Sequence, residues 1–357
     1  MEKLLIACML VAGTTAYRPA PFRFSHVSYG GYVTPASKAA FEVLHVEQIS
    51  LPCVTMALPD DDTRKTAWVI PADTLQAASL RVAASAIAAI ATWMLVNVAG
   101  CGVVFASSVV GLAAGFGLPT PLATAAFCGS FCGMSSTVVA PGLAQVGLLG
   151  TTAGALLATL DATNSRFLKG YGGRLGAAAT ISALVSIATR PSLRRAGLLY
   201  QPELAVAAAS AASRPATTFG VLATVLGAVA MRGWARGVPR MQTVLKLEAD
   251  ILAQLVTRTS NPVFSASLIG LIAGLAFGST RPSVAASAFA GAFVAMSPPE
   301  KLSGFRALLA AAAFAGVAQV GLSAFCIGGG GKLGAAAVLG VYATRLLRAA
   351  KAKAFKK

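Results

Sequence analysis

Charged residues are scarce in this sequence of 357 residues, since Asp, Glu, Lys and Arg make up only 11% of it. An ordinary soluble domain carries about 25%. Between Arg81 and Asp161 there is no charged residue at all, and these 79 positions can hold about four spanning helices of roughly 20 residues each. The composition therefore excludes an ordinary water-exposed surface and predicts a polytopic membrane protein.

Histidine is almost absent, because His26 and His45 are the only two and both precede the apolar region. Their position excludes haem ligation by two histidines, a zinc-protease motif and a Ser-His-Asp triad within that region. No phosphate-binding glycine loop followed by Lys-Ser or Lys-Thr is present, and the six cysteines lack metal-ligand spacing. We therefore predict no enzyme activity, no cofactor and no metal.

Alternation of apolar and polar residues, which is typical of membrane β-strands, is missing from stretches such as 82–96. The sequence therefore predicts an all-α fold, a polytopic transmembrane helix bundle of about ten segments. The count falls to eight if 175–189 and 333–344, which are short, are re-entrant. Charges and Pro or Gly breaks delimit the candidate segments, which are 82–98, 102–117, 121–138, 143–160, 173–188, 216–231, 262–278, 283–297, 305–327 and 332–346.

The first five segments resemble the last five, which predicts an internal repeat. Three collinear blocks match at offsets of 159, 162 and 158 residues; they begin at Val104 and Val263, at Ala126 and Ala288, and at Gly172 and Gly330. We therefore predict membrane repeats at 81–190 and 216–350, joined by a connector at 191–215. An odd number of crossings in each repeat makes the second repeat inverted relative to the first.

The net charge is +17, and basic residues lie at segment ends and in the tail 351–357. They lack the interleaved aromatic residues that a base-stacking surface needs, so we expect the lipid bilayer as a partner and no nucleic acid. Their distribution places both termini on one face of the membrane. Residues 241–256 have helical spacing of apolar and charged positions, which is typical of an interfacial helix or of a plain loop helix. No oligomeric state follows from these patterns.

The N-terminal region has the composition of a two-part targeting sequence. Residues 1–16 have the pattern of a signal peptide, residues 17–40 are basic and free of acids as in a transit peptide, and residues 41–80 form a polar linker. With Tyr17, Pro19 and Phe22 near the junction, this arrangement resembles the bipartite presequences of algae with complex plastids. The resemblance implies a plastid membrane as the location of the multi-pass protein that the composition predicts; the alternative is the endomembrane system or the plasma membrane.

Candidate pathway residues are polar groups inside the segments and glycines at breaks that recur in both repeats. In transporters built from repeats, interrupted helices at corresponding positions expose backbone groups to a substrate. Ordinary packing glycines and a solvated helix end are the structural alternatives. The candidates are Asn97, Ser135, Asp161, Gly172, Gly173, Ser297, Gly330 and Gly331.

The repeat and the paired glycine breaks favour a secondary transporter or channel for a small neutral or anionic solute. The scarcity of carboxylates within the segments argues against coupling to a cation. The alternative is a non-catalytic assembly or scaffold protein of a plastid membrane complex. A transporter should enclose a polar cavity between its halves, whereas a scaffold should be packed solid.

Overall fold

The computed structural model describes residues 72–162, 168–190, 215–245, 261–322, 325 and 327–354. This part of the chain contains ten α-helices and no β-strand, which confirms the predicted all-α class. The predicted signal peptide, the transit-like segment, most of the linker and residues 191–214 of the connector lie outside the described residues. The helices are α1 (Ala72–Asn97), α2 (Val103–Gly117), α3 (Thr120–Gly133), α4 (Leu143–Ala162), α5 (Arg174–Thr189), α6 (Pro215–Leu245), α7 (Pro262–Phe277), α8 (Pro282–Ala295), α9 (Phe305–Gly321) and α10 (Lys332–Ala354).

The helix boundaries differ from the predicted segments mainly at a few ends. Helix α1 begins at Ala72, inside the predicted linker, and α10 continues through its basic residues to Ala354. Helix α3 stops at Gly133, where Met134 caps it, although the apolar run continues to 138. Of the predicted interfacial helix 241–256, residues 241–245 belong to the unbroken α6 and the rest lies outside the described residues.

Four helical stretches are long and apolar enough to cross a membrane. These stretches are Leu75–Asn97, Leu143–Ala162, Thr218–Arg236 and Lys332–Ala354. The other six helices have 14 to 17 residues. At 1.5 Å per residue they are only about 21–26 Å long.

The two halves of the bundle are packed in the same way. Helix α1 lies along both α3 and α4, and α6 lies along both α8 and α9. A Cβ on Gly129 of α3 would overlap the carbonyl oxygen of Ser85, and a Cβ on Gly291 of α8 would overlap that of Thr224. Glycine therefore allows the same close approach at equivalent places in the two halves.

Helices α2 and α7 cross between the halves. Two glycines of each helix lie against residues of the other helix. As the residue numbers rise along α2 they fall along α7, so the two helices are antiparallel. The contacts are Gly111 with Ser267, Gly270 with Ser108, Gly115 with Phe264 and Gly274 with Phe105.

Helices α5 and α10 form a second antiparallel pair between the halves, through their N-terminal turns. A Cβ on Gly173 would overlap the carbonyl oxygen of Gly334, and a Cβ on Gly331 would overlap that of Gly176. Because the helices meet at their first turns and run in opposite directions, they extend from this contact towards opposite ends of the bundle.

Four buried phenylalanines fill the space between α3 and α8. Their ring centroids lie 4.5–6.1 Å apart, in tilted or edge-to-face pairs that aromatic rings favour. Each ring is at most 2% exposed, so the four rings belong to the buried core of the bundle. The four residues are Phe127, Phe131, Phe289 and Phe293.

Candidate functional site

Two glycine-rich loops precede the paired helices α5 and α10. We name them loop A (168–173, before α5) and loop B (327–331, before α10). Both loops have positive φ at equivalent positions, at Gly170 and Gly173 in loop A and at Gly328 and Gly331 in loop B. Only glycine adopts these angles without a steric cost. Because these angles recur at equivalent positions, the backbones of the two loops follow the same path.

A serine hydroxyl from the opposite half holds each loop. The backbone N–H of Gly172 donates to Ser297 Oγ at 2.8 Å, and that of Gly330 donates to Ser135 Oγ at 3.0 Å. Both serines are buried and lie just after α8 and α3. Each bond satisfies a buried backbone donor that the loop leaves without a helical partner.

The loops also approach the backbone of α8 and α3 closely. A Cβ on Gly172 would overlap the carbonyl oxygen of Phe293, and a Cβ on Gly330 would overlap that of Phe131. Each loop of one half is therefore locked between a serine and a phenylalanine of the other half. Six of the predicted site residues lie together here; they are Ser135, Gly172, Gly173, Ser297, Gly330 and Gly331.

A cavity of about 260 Å³ lies beside loop B, between α2 of the first half and α7, α8 and α10 of the second. Its walls are mostly apolar side chains and glycine backbone. Lys332, the first residue of α10, is the charged residue among those that line it. The lining comprises Gly102–Phe105, Met134, Gly274, Gly278, Pro282, Ala285, Ala286 and Gly329–Leu333.

Tyr171 anchors loop A at the other end of the bundle. Its hydroxyl accepts a hydrogen bond from the guanidinium of Arg345, and its ring lies 5.1 Å from Lys301 Nζ. Arg345 lies about 20 Å along α10 from Lys332, so this contact is remote from the cavity. Residue Gly329 occupies the equivalent position in loop B, where it lines the cavity.

Of the remaining two predicted site residues, Asn97 lies apart from the loops and Asp161 contacts the residue that follows loop A. Asn97 is exposed at the end of α1, where its amide donates to the carbonyl of Trp93 in the same helix. Asp161 accepts from Arg81 at 3.1 Å and from Arg174 at 2.7 Å, and so ties the end of α4 to α1 and α5. Asn97 therefore bonds within its own helix end, and Asp161 belongs to a partly exposed ion-pair network.

The sequence patterns that predict the glycine breaks predict neither the cavity nor the contacts of Tyr171. The sequence does mark Tyr171 in one respect. At the offset of 158 residues it aligns with Gly329, and the glycines around the two positions are the same. For the cavity walls no such signal exists, since Val103, Met134 and Ala286 are ordinary residues of apolar segments.

No protein-family model matches the sequence, no curated protein is similar to it, and no solved structure matches its fold.

Proposed function

We propose that the chain is an integral membrane protein of two inverted five-helix repeats that acts as a secondary transporter or channel for a small neutral or anionic solute. The observation that carries the proposal is the pair of helices α5 and α10, which begin at their mutual contact inside the bundle. A cavity lies beside loop B, although its walls are mostly apolar, whereas a polar cavity is the expectation for a transporter.

Membrane insertion is supported by the outward faces of the helices. Large apolar side chains there are half-exposed or more, such as Ile87 at 67%, Leu275 at 63% and Val317 at 61%. In water an apolar surface repeated around a whole bundle would drive aggregation, whereas hydrocarbon accommodates it. The four long apolar stretches supply helices of spanning length.

The inverted arrangement is supported by the reciprocal contacts. When two equivalent helices contact each other and run antiparallel, a two-fold axis relates them. This axis is perpendicular to both helices. Both α2 with α7 and α5 with α10 meet in this way. If these helices lie along the membrane normal, the axis lies in the membrane plane, as in transporters with inverted-topology repeats.

Transport is supported by the helices that stop or start inside the bundle. Helices α3 and α8 have 14 residues each, about 21 Å, against a hydrocarbon core of about 30 Å. Helices α5 and α10 begin at their mutual contact in the middle of the bundle. Interrupted helices at corresponding positions of two repeats are the feature that exposes backbone groups to a solute.

The composition of the cavity favours a small solute with an apolar part. Most of the wall is hydrocarbon, and Lys332 and the first N–H groups of α10 supply the polar end. A cation and a helix N-terminus both favour a negative or electron-rich group. This chemistry is consistent with an anionic or a neutral polar solute and unfavourable to a metal cation.

The alternative function is a non-catalytic assembly or scaffold protein of a plastid membrane complex. The solid phenylalanine cluster between α3 and α8 favours it, since a scaffold needs no passage through its core. The mostly apolar cavity would then be a recess for a partner's side chain or a lipid. The plastid location, with the endomembrane system or plasma membrane as the alternative, depends on the N-terminal 40 residues.

The test is solute flux in proteoliposomes containing the full chain, with a panel of labelled small carboxylates, inorganic anions and neutral metabolites. We expect saturable flux for at least one solute, and we expect Ala286→Phe, which fills the cavity, to abolish it. The matched control is Ala155→Phe on the exposed face of α4, which should leave flux unchanged. If folded, inserted protein moves none of these solutes, the scaffold function replaces transport.

A further inference from the structure

Three cationic side chains are fixed around the outer end of loop A. Lys301 Nζ and Arg345 Cζ lie 5.1 Å and 5.5 Å from the centroid of the same Tyr171 ring. Arg348 Nη2 donates to Ser303 Oγ at 2.6 Å and is thereby held on the same loop as Lys301. We name Lys301, Arg345 and Arg348 the basic cluster.

The partners of the basic cluster are neutral. In the described part of the chain, none of the three cations forms an ion pair. Glu300, the neighbour of Lys301, is exposed and likewise forms no ion pair there. Three positive charges that are held close together by an aromatic ring and a serine hydroxyl attract an anion.

An exposed apolar strip leads away from the basic cluster along α10. Leu339, Tyr342 and Leu346 are 46%, 50% and 53% exposed and lie on one helix face by their spacing. The strip ends beside Arg345, whereas Arg348 lies on the other side of the helix, where it reaches Ser303. A ligand that fits both features has a hydrocarbon part for the strip and an anionic group for the cluster.

We propose that the basic cluster binds the headgroup of an anionic lipid, whose acyl chains lie along Leu339, Tyr342 and Leu346. This inference rests on the membrane insertion in the proposed function, but it does not require transport. A free phosphate would use the charges and leave the strip uncovered. Because Lys301 and Arg345 also hold Tyr171, the bound lipid strengthens the attachment of loop A to α10.

The test measures lipid binding by the full chain in a neutral detergent, with phosphatidylglycerol as the probe and native mass spectrometry as the readout. A basic residue near an anionic membrane surface contributes roughly a fivefold gain in affinity, so Lys301→Gln with Arg345→Gln should weaken binding about 30-fold. Arg345→Lys keeps the charge and should bind within about fivefold of the wild type.

The matched control is Arg281→Gln, because Arg281 also stacks on an aromatic ring, 5.7 Å from the Phe219 centroid, but lies beside the cavity rather than in the basic cluster. It should bind phosphatidylglycerol as the wild type does. If the double variant does not fold, Lys301→Gln alone gives the same comparison with about a fivefold loss.

Three results would overturn the proposal. One is undiminished phosphatidylglycerol binding by the variants of the basic cluster. Another is equally tight binding of phosphatidylcholine, which would show that the strip alone recruits lipid. The third is displacement of the lipid by millimolar inorganic phosphate, which would make free phosphate the ligand. None of these measurements depends on solute flux, so failure of transport and failure of the lipid site are separate results.

Discussion

Loop A and loop B have the same backbone course but different surroundings. Both have two glycines with positive φ, both donate a backbone N–H to a buried serine, and both pack on a phenylalanine carbonyl. Loop A carries Tyr171, which two cations hold against the second half. Loop B carries Gly329 at that place and borders the cavity.

The difference shows that two loops with the same backbone course can be held by different contacts. Residues that set the backbone course are the same in both loops, because any side chain at those places would collide. Residues around them differ: Lys301 and Arg345 align with Val139 and Ile187 at the offsets of the matching blocks. Loop B is held instead by the N–H of Ser136, which donates to the carbonyl of Gly328 at 2.7 Å.

The largest expected effect comes from the glycines that the two loops share. Gly173 and Gly331 have φ of +88° and +90°, and a Cβ on either would overlap a carbonyl oxygen of the opposite helix. Gly173→Ala and Gly331→Ala should each lower the free energy of unfolding by more than about 3 kcal/mol, through backbone strain and overpacking. Thermal or denaturant unfolding in micelles measures this.

The control for these variants is Gly117→Ala at the end of α2, where a Cβ would have open space, and we expect little change there. A variant of one loop that is tolerated while its counterpart is not would break the equivalence of the two loops.

An intermediate effect is expected at the position that distinguishes the loops. Tyr171→Gly removes two cation–π contacts and a hydrogen bond, which together contribute about 2–3 kcal/mol. Hydrogen exchange of peptides covering 168–173 should then accelerate, whereas that of peptides covering 327–331 should stay unchanged. Tyr171→Phe, which keeps the ring, should show a smaller acceleration. Unchanged exchange of 168–173 in Tyr171→Gly would show that these contacts do not hold loop A.

The smallest effect is expected at the two serines. Ser135→Ala and Ser297→Ala each leave a buried N–H without its acceptor, at a cost of about 1–2 kcal/mol in the free energy of unfolding. Thr151→Ala, at an exposed site on α4, should change that free energy by less than about 0.5 kcal/mol. Unequal losses at the two serines would show that the hydrogen bonds hold the loops to different degrees.

The helices were predictable because their ends carry local signals. Pro262, Pro282 and Gly304 begin or precede helices near the predicted starts. Charged residues limit the predicted segment to 332–346, but α10 continues to Ala354, because Arg345 and Arg348 lie at the exposed end of the helix.

The candidate site was predictable only where both halves use the same residues. Gly172 with Gly330 and Ser135 with Ser297 stood out because each pair occupies matching positions in two aligned blocks. The cavity beside Gly329 depends on how α2, α7 and α8 approach one another, which no local pattern records. For Asn97 and Asp161 the sequence indicates only polarity. Asn97 bonds within its own helix, and Asp161 pairs with Arg81 of α1 and Arg174 of α5.

The crossing of α2 and α7 also has an evolutionary consequence. Ser108 meets Gly270 and Ser267 meets Gly111, so one contact is made twice. A single five-helix unit that carried both this serine and this glycine could pair with a second copy of itself in the inverted orientation. Fusion of two such copies would keep both contacts. One chain would then contain the interface of an ancestral homodimer whose two copies inserted in opposite orientations.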